Sequence, residues 1–197
     1  VPTTQSAGVT AAGRNTSRDA FRLALQKFVA GDRIDMQQLA AELNVDRSTL
    51  FRWVGNRDQL LVDILTYLTD RALREATAHA TGTGGSRLVQ IAERYAEKVI
   101  DASYYRTFLR REPERSLRLI TTKASPLQRH VVQTFENLIR EEVLRGFTHP
   151  LEPADLAYLL VRILESFIYA DMITGDEPDA GEVAAAISAL LHVPRPA

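Results

Sequence analysis

The sequence predicts an all-α protein, with a three-helix N-terminal unit joined by a long helix to a larger helical C-terminal body. Three observations carry this. From Thr16 onward apolar residues recur every three to four positions, and no stretch alternates as a half-buried strand does. Helix-starting residues stand just ahead of the periodic runs, two of them with Gln three places on. Almost all of the 10 Gly and 8 Pro fall between the runs rather than inside them.

Residues 1–15, mostly Thr, Ala, Gly and Ser, have no periodicity and read as a flexible tail. The first helix starts at Thr16 or Ser17, buries Phe21, Ala24, Leu25 and Phe28, and stops at Gly31. A second follows Asp35, paired with Gln38 as a capping box, and buries Leu39, Ala40 and Leu43. Asn44 tolerates the left-handed conformation of a tight exit, and Asp46 caps a short third helix, Arg47 to Trp53, broken by Gly55. Asn56 and Gln59 open a long fourth helix that runs to about Ala80. Residues 81–86, TGTGGS, read as a flexible hinge, because they follow a helix and lack the Lys and Ser/Thr of a phosphate loop. Further helices are expected at 87–101, 103–111, 113–123, 126–145, 154–174 and 179–192, divided by Pro and Gly.

Composition narrows the function. A chain of 197 residues, 45% hydrophobic and 25% charged, buries one core or two small ones. No apolar run is long enough to span a membrane, and no basic start followed by an apolar stretch marks a secretory signal. With Cys at 0, disulfide, zinc-finger and thiol chemistry are excluded, and a cytoplasmic location is expected. The net charge of −1 hides a split: residues 1–57 carry eight basic against five acidic residues, and residues 150–197 carry two against eight. The N-terminal end is the one suited to a polyanion.

Residues 36–55, MQQLAAELNVDRSTLFRWVG, have the spacing of a helix-turn-helix. Ala40 is small where the helices cross, Leu39, Leu43, Val45 and Leu50 make the shared core, and Asn44 makes the turn. The short connection leaves one face of the second helix outside the core. That face carries Arg47, Ser48, Thr49 and Arg52, donors for base edges and phosphates in a major groove. On spacing alone, an αα-corner with no DNA contact is an equal reading.

The continuation TLFRWVGNRDQLL, residues 49–61, resembles the DNA-binding domain of the TetR family of transcriptional regulators. Thr49-Leu50-Phe51, Val54, Arg57 and Leu60-Leu61 fall on the positions of that pattern, with Phe51 where Tyr is frequent, Trp53 where His is common and Asp35 where Thr or Ser is. The segments 108–121 and 160–179 are similar to the QsdR-type subgroup. The resemblance implies a helix-turn-helix DNA-binding domain at 16–61 and an effector-binding and dimerisation domain at 62–192. It implies a homodimeric, effector-responsive repressor of a near-palindromic double-stranded operator; no nucleophile–base pair is apparent in the sequence, and no enzymatic activity, cofactor or metal is expected. A helical small-molecule-binding protein or enzyme whose N-terminal corner is only structural is the alternative.

The expected DNA contacts are Arg47, Ser48, Thr49 and Arg52, with Phe51 packing by its ring, Trp53 and Arg57 on the phosphate backbone, Gln37 from the preceding helix and Arg14 from the tail. The dimer is expected from helices 154–174 and 179–192, the latter through Val183, Ala186, Ile187, Leu190 and Leu191. An effector pocket is expected among the body helices. Polar tips at Tyr95 and Gln128 sit on apolar faces, Phe108 and Phe135 are walls, and Arg162 or Tyr169 are donors. Such a pocket suits a small, mainly apolar effector with one or two acceptor groups, for which an acyl lactone is a fit. Tyr158, Arg162, Glu165 and Tyr169 share one side of their helix and line either a pocket or an interface, or form a packed ion pair. The arginines from Arg106 to Arg118 are an ion-paired face or an anion site, and the four His show no metal spacing.

Overall fold

A computed structural model describes residues 15–122 and 125–194; the expected tail, Arg14 included, lies outside the described residues except for Asn15. These residues form helices and no strand: α1 Ser17–Val29, α2 Met36–Glu42, α3 Arg47–Val54, α4 Arg57–His79, α5 Gly84–Asp101, α6 Ser103–Arg111, α7 Pro113–Thr121, α8 Pro126–Leu144, α9 Pro153–Ile168, α10 Ala170–Ile173 and α11 Ala180–Leu191.

Local chemistry sets the N-terminal boundaries. Thr16 and Asp19 cap α1 reciprocally, and Asn56 and Gln59 do the same for α4. Asp35 caps α2 through the backbone N–H groups of Gln37 and Gln38 without the reciprocal bond expected from Gln38. Asn44 adopts φ 50° and Gly55 φ 69°, the left-handed turns that bracket α3. Leu39, Leu50, Leu60, Leu61 and Ile64 are fully buried where these helices meet α4. Phe28 at the end of α1 stacks edge-on against Phe108 of α6, ring centroids 5.5 Å apart, so the N-terminal unit and the body share one continuous core.

In the body α5 packs along α11, and α8 along α9. The segment read as a hinge is instead pinned. Gly84 and Gly85 belong to α5, the Gly84 N–H donates to Glu142 Oε2 at 2.7 Å, and a Cβ at Gly85 would stand 2.8 Å from Val193 Cγ1. Glu142, fully buried, is also held by Arg87 and Arg145, so its charge is neutralised in place. The helix expected over 154–174 breaks at Tyr169, whose ring turns inward. The apolar face of α11 expected at a dimer contact is largely consumed within the chain: Val183, Ile187 and Leu191 are buried, leaving Ala186 and Leu190 half-exposed.

Candidate nucleic-acid interface and internal cavity

Asp46 organises the start of α3. Its carboxylate accepts from the Ser48 hydroxyl at 2.5 Å, the Thr49 N–H at 2.8 Å and the Thr49 hydroxyl at 2.9 Å. These bonds, the Ser48 hydroxyl foremost, hold the carboxyl down to about 2, so it stays charged at the positive end of the helix. Leu50 and Val54 anchor α3 to the core and turn its opposite side outward. That side presents Arg47, Ser48, Phe51 and Arg52, with Thr49 and Trp53 half-buried at its margins. Arg47 has no partner among the described residues, while Arg52 donates to the Thr49 hydroxyl at 3.3 Å. Phe51 is 58% exposed, a large apolar ring with no intramolecular reason to face water. Gln37, exposed in the first turn of α2, joins the same N-terminal unit.

Arg57, expected on a phosphate, is engaged within the chain. Its Nε donates to the Ile34 carbonyl at 2.7 Å, and its two terminal nitrogens form a paired contact with Glu112 at 2.6 and 2.5 Å. Every nitrogen of the guanidinium is engaged, and the side chain is only 16% exposed. Next to it Asp58 accepts from Arg115 and Arg118, and Arg115 also meets Glu112. This clasp fastens the first turn of α4 to the junction of α6 and α7. The basic run is therefore mostly an ion-paired face, with Arg106 on Asp171 and Arg111 on the Gly31 carbonyl, and not an open anion site.

The body holds a cavity, open to solvent, between α4, α5, α6, α7, α8 and α9. Its walls are apolar, from residues such as Leu65, Val99, Ile120, Val131 and Val161, with polar groups at Thr69, Tyr95, Gln128, Glu165 and the Tyr105–Tyr169 pair. Of the expected pocket residues, Tyr95, Gln128 and Tyr169 line this space and three do not. Phe135 lies behind Tyr95, ring centroids 6.3 Å apart, and is fully buried. Phe108 faces a separate crevice beside Phe28, Arg57 and Glu112. Arg162 stands on the outer side of α9 and reaches back to pair with Glu165. The polar stripe of that helix is thus divided: Tyr158 and Arg162 face out, Glu165 and Tyr169 face in.

Burial sets the electrostatics of the cavity. It pushes the Tyr95 phenol up to about 12, against a hydrogen bond from Thr69, and raises Tyr105 and Tyr169 as well. The Tyr105 and Tyr169 hydroxyls are 2.8 Å apart. Burial also raises the Glu165 carboxyl to about 7, with the Arg162 charge opposing the shift. Lys98 lines the cavity by its stem while its ammonium is held by Glu75 at 2.7 Å. Sequence reasoning passed over Thr69 and Tyr105, which look like ordinary members of apolar faces until α4 and α6 are brought together. It had Glu165 on a stripe without a direction. His130, half-buried, is satisfied by Asp70 at 2.6 Å.

A family model for the tetracyclin repressor-like C-terminal domain matches residues 83–192. The structure of QsdR from R. erythropolis, a transcriptional repressor of the TetR family, is similar to this chain with a TM-score of 0.81 and 29% identity. The match covers 92% of this chain and 96% of that one. A protein of unknown function from Rhodococcus sp. RHA1 shares the fold at a TM-score of 0.62 and 14% identity, covering 93% of this chain and 98% of that one. Comparison with curated proteins finds no match.

Proposed function

The chain belongs to the TetR family of transcriptional regulators, and from that premise we propose that it is a dimeric, effector-responsive repressor of a near-palindromic DNA operator. The observation that carries the reading is the outward side of α3, where Arg47, without a partner among the described residues, and an exposed Phe51 stand on a helix fixed by buried Leu50 and Val54. In this reading Arg47 reads base edges from the first turn of the recognition helix, with Ser48 and Thr49 accepting or bridging beside it. Arg52, Phe51, Trp53 and Gln37 hold the flanking backbone. Arg57 belongs to the clasp between the two parts of the chain and not to the DNA contact.

The dimer is assigned to α9 and the end of α8. Tyr158 and Leu159 are exposed on α9, and Val143 and Leu144 at the end of α8, Leu144 by 88%. Two copies related by a twofold axis would cover these side chains and set two recognition helices for successive turns of DNA. A small, mainly apolar effector fills the cavity beside the middle of α4. Occupancy shifts α4 and hence the spacing of the recognition helices, and tighter binding to one spacing couples effector to DNA. Selection of bound sequences from random DNA tests the reading. A near-palindromic site whose affinity falls steeply with salt supports it. Salt-independent retention, or an asymmetric site bound by a monomer in sedimentation, overturns it.

A further inference from the structure

The polar groups of the cavity define a ligand more narrowly than its apolar walls do. Resting on the reading of this cavity as the effector site, we propose that it selects an uncharged apolar molecule carrying a secondary-amide-like group, with the N–H donated to Glu165 Oε1 and the carbonyl accepting from the Tyr105–Tyr169 hydroxyl pair. Glu165 is then the specificity-determining residue.

Glu165 is 8% exposed and lines the cavity, yet among the described residues only its Oε2 has a partner, Arg162. An ionised carboxylate is an acceptor only, so the free Oε1 calls for a donor from whatever fills the space. The phenols supply the complement. Two hydroxyls share one hydrogen bond at 2.8 Å, so one of their two protons is left over for an acceptor. With Tyr169 donating to Tyr105, the spare proton is on the Tyr105 hydroxyl, so the acceptor comes from α9 and the donor from α6, and the two enter the cavity from different helices. A secondary amide, with N–H and C=O on opposite edges, satisfies both; an ester or a lactone satisfies the phenol and leaves Glu165 unmet.

A cationic ligand is disfavoured because Glu165 already has its counter-charge in Arg162 and the Lys98 stem lines the same space. A further charge would be stripped of water against apolar walls for little gain. The titratable and charged groups around Glu165 are few. Arg162 is on its helix and Tyr169 caps that helix, Tyr95 and Lys98 come from α5, and Tyr104 and Tyr105 from α6. From α8 the cavity receives the Gln128 amide and from α4 the Thr69 hydroxyl, with Asp70 and His130 paired to each other nearby. The buried face of α11 is Val183, Ala184, Ile187, Ser188 and Leu191, none of which titrates. With its carboxyl raised to about 7, Glu165 changes from donor-bearing acid to pure acceptor across neutral pH.

The test uses the full chain and four probes: N-butylhexanamide, its ester analogue butyl hexanoate, its N-methylated tertiary amide, and hexylammonium. Binding is read by calorimetry for wild type and for Glu165→Met, which keeps the volume and adds no buried charge. Wild type is expected to prefer the secondary amide over ester and tertiary amide by about tenfold or more, as for a hydrogen bond to a charged acceptor. That preference should grow from about pH 6 to about pH 8 as Glu165 ionises, and should vanish in Glu165→Met. Equal binding of amide and ester, tighter binding of hexylammonium, no binding of the secondary amide, or a preference that survives in Glu165→Met overturns the proposal. A Glu165-dependent amide preference that leaves operator affinity unchanged would keep the ligand assignment and overturn the effector reading instead.

Discussion

The N-terminal unit and the C-terminal body arrange their polar groups in opposite ways. Around α3 the partners are neighbours in sequence: Asp46 holds Ser48 and Thr49, two and three residues on, and the whole group faces outward. In the body the partners come from far apart and face inward. Tyr105 meets Tyr169 across 64 residues, and Gly84 meets Glu142 across 58. A surface that reads DNA needs donors left free on a rigid helix, so local caps suffice to build it. A cavity that selects a ligand needs groups from several helices, and only the complete fold assembles them. Perturbing each region tests how independent the two are.

The largest effect is expected from the core under α3. Leu50 is fully buried, and Leu50→Ala should cost about 2–5 kcal/mol through lost burial and the void left behind. Trp53, the only tryptophan, reports on this unit by fluorescence, and circular dichroism reports on the chain as a whole. In denaturant the fluorescence transition of the variant should precede the loss of helix, and DNA retention should go with the fluorescence. Coincident transitions would show that the core shared through Phe28 and Phe108 makes both regions one cooperative unit.

Arg47 comes next. Arg47→Ala should cost about 1–3 kcal/mol of operator binding and relax preference at a single base position, read by repeating the selection from random DNA. A uniform loss over all positions would move Arg47 from base reading to phosphate contact.

How much of each region was legible follows from the same contrast. The caps at Thr16, Asp46 and Asn56, the left-handed Asn44 and the outward side of α3 all follow from residues within a turn of one another, and sequence spacing registers them. The cavity was half legible. Tyr95 and Gln128 stand out as polar tips on apolar faces, but the same logic could not tell that Phe135 would sit behind Tyr95, or that Phe108 would turn toward α1. Spacing along one helix also failed to give Glu165 a direction, because the division between it and Arg162 depends on which neighbours cover α9. The packing of the α11 face was not legible for a related reason: an apolar face shows that something covers it, not whether the cover is α5 or a second chain. The ion pair that engages Arg57 was not legible because its partner, Glu112, lies 55 residues away.

Inside the body the expected effect is smaller and depends on pH. Burial raises the Glu165 carboxyl to about 7 from the ordinary 4.5 that it regains on unfolding. Between those values the folded chain keeps a proton that the unfolded chain has lost, so stability falls as pH rises through the window. The deficit is complete above about 7. Glu165→Met removes it, so the variant should melt above wild type by on the order of a few degrees at about pH 8, with the gap narrowing toward about pH 4.5. A gap that widened toward acid would mean that Glu165 is stabilised as the carboxylate in the folded chain.

The smallest effect on DNA affinity is expected at the clasp that joins the two regions. Arg57 and Asp58 sit in the first turn of α4, and Glu112, Arg115 and Arg118 hold them from the α6–α7 junction. With its guanidinium fully engaged, Arg57 has no donor to offer a phosphate without breaking that pair. Arg57→Ala should therefore leave the salt dependence of operator binding unchanged, whereas loss of a phosphate contact would lower its slope by about 0.9. Ligand-free affinity should move by less than about threefold, and Glu112→Gln should behave alike. What both should lose is communication. With N-butylhexanamide bound, the change in operator affinity should shrink in either variant, and the double variant should be no worse than each alone, because one contact has been removed in all three. If Arg57→Ala flattened the salt dependence and Glu112→Gln did not, Arg57 would be a backbone contact after all, and the link between reading surface and cavity would have to run through the packed core of Phe28 and Phe108 instead.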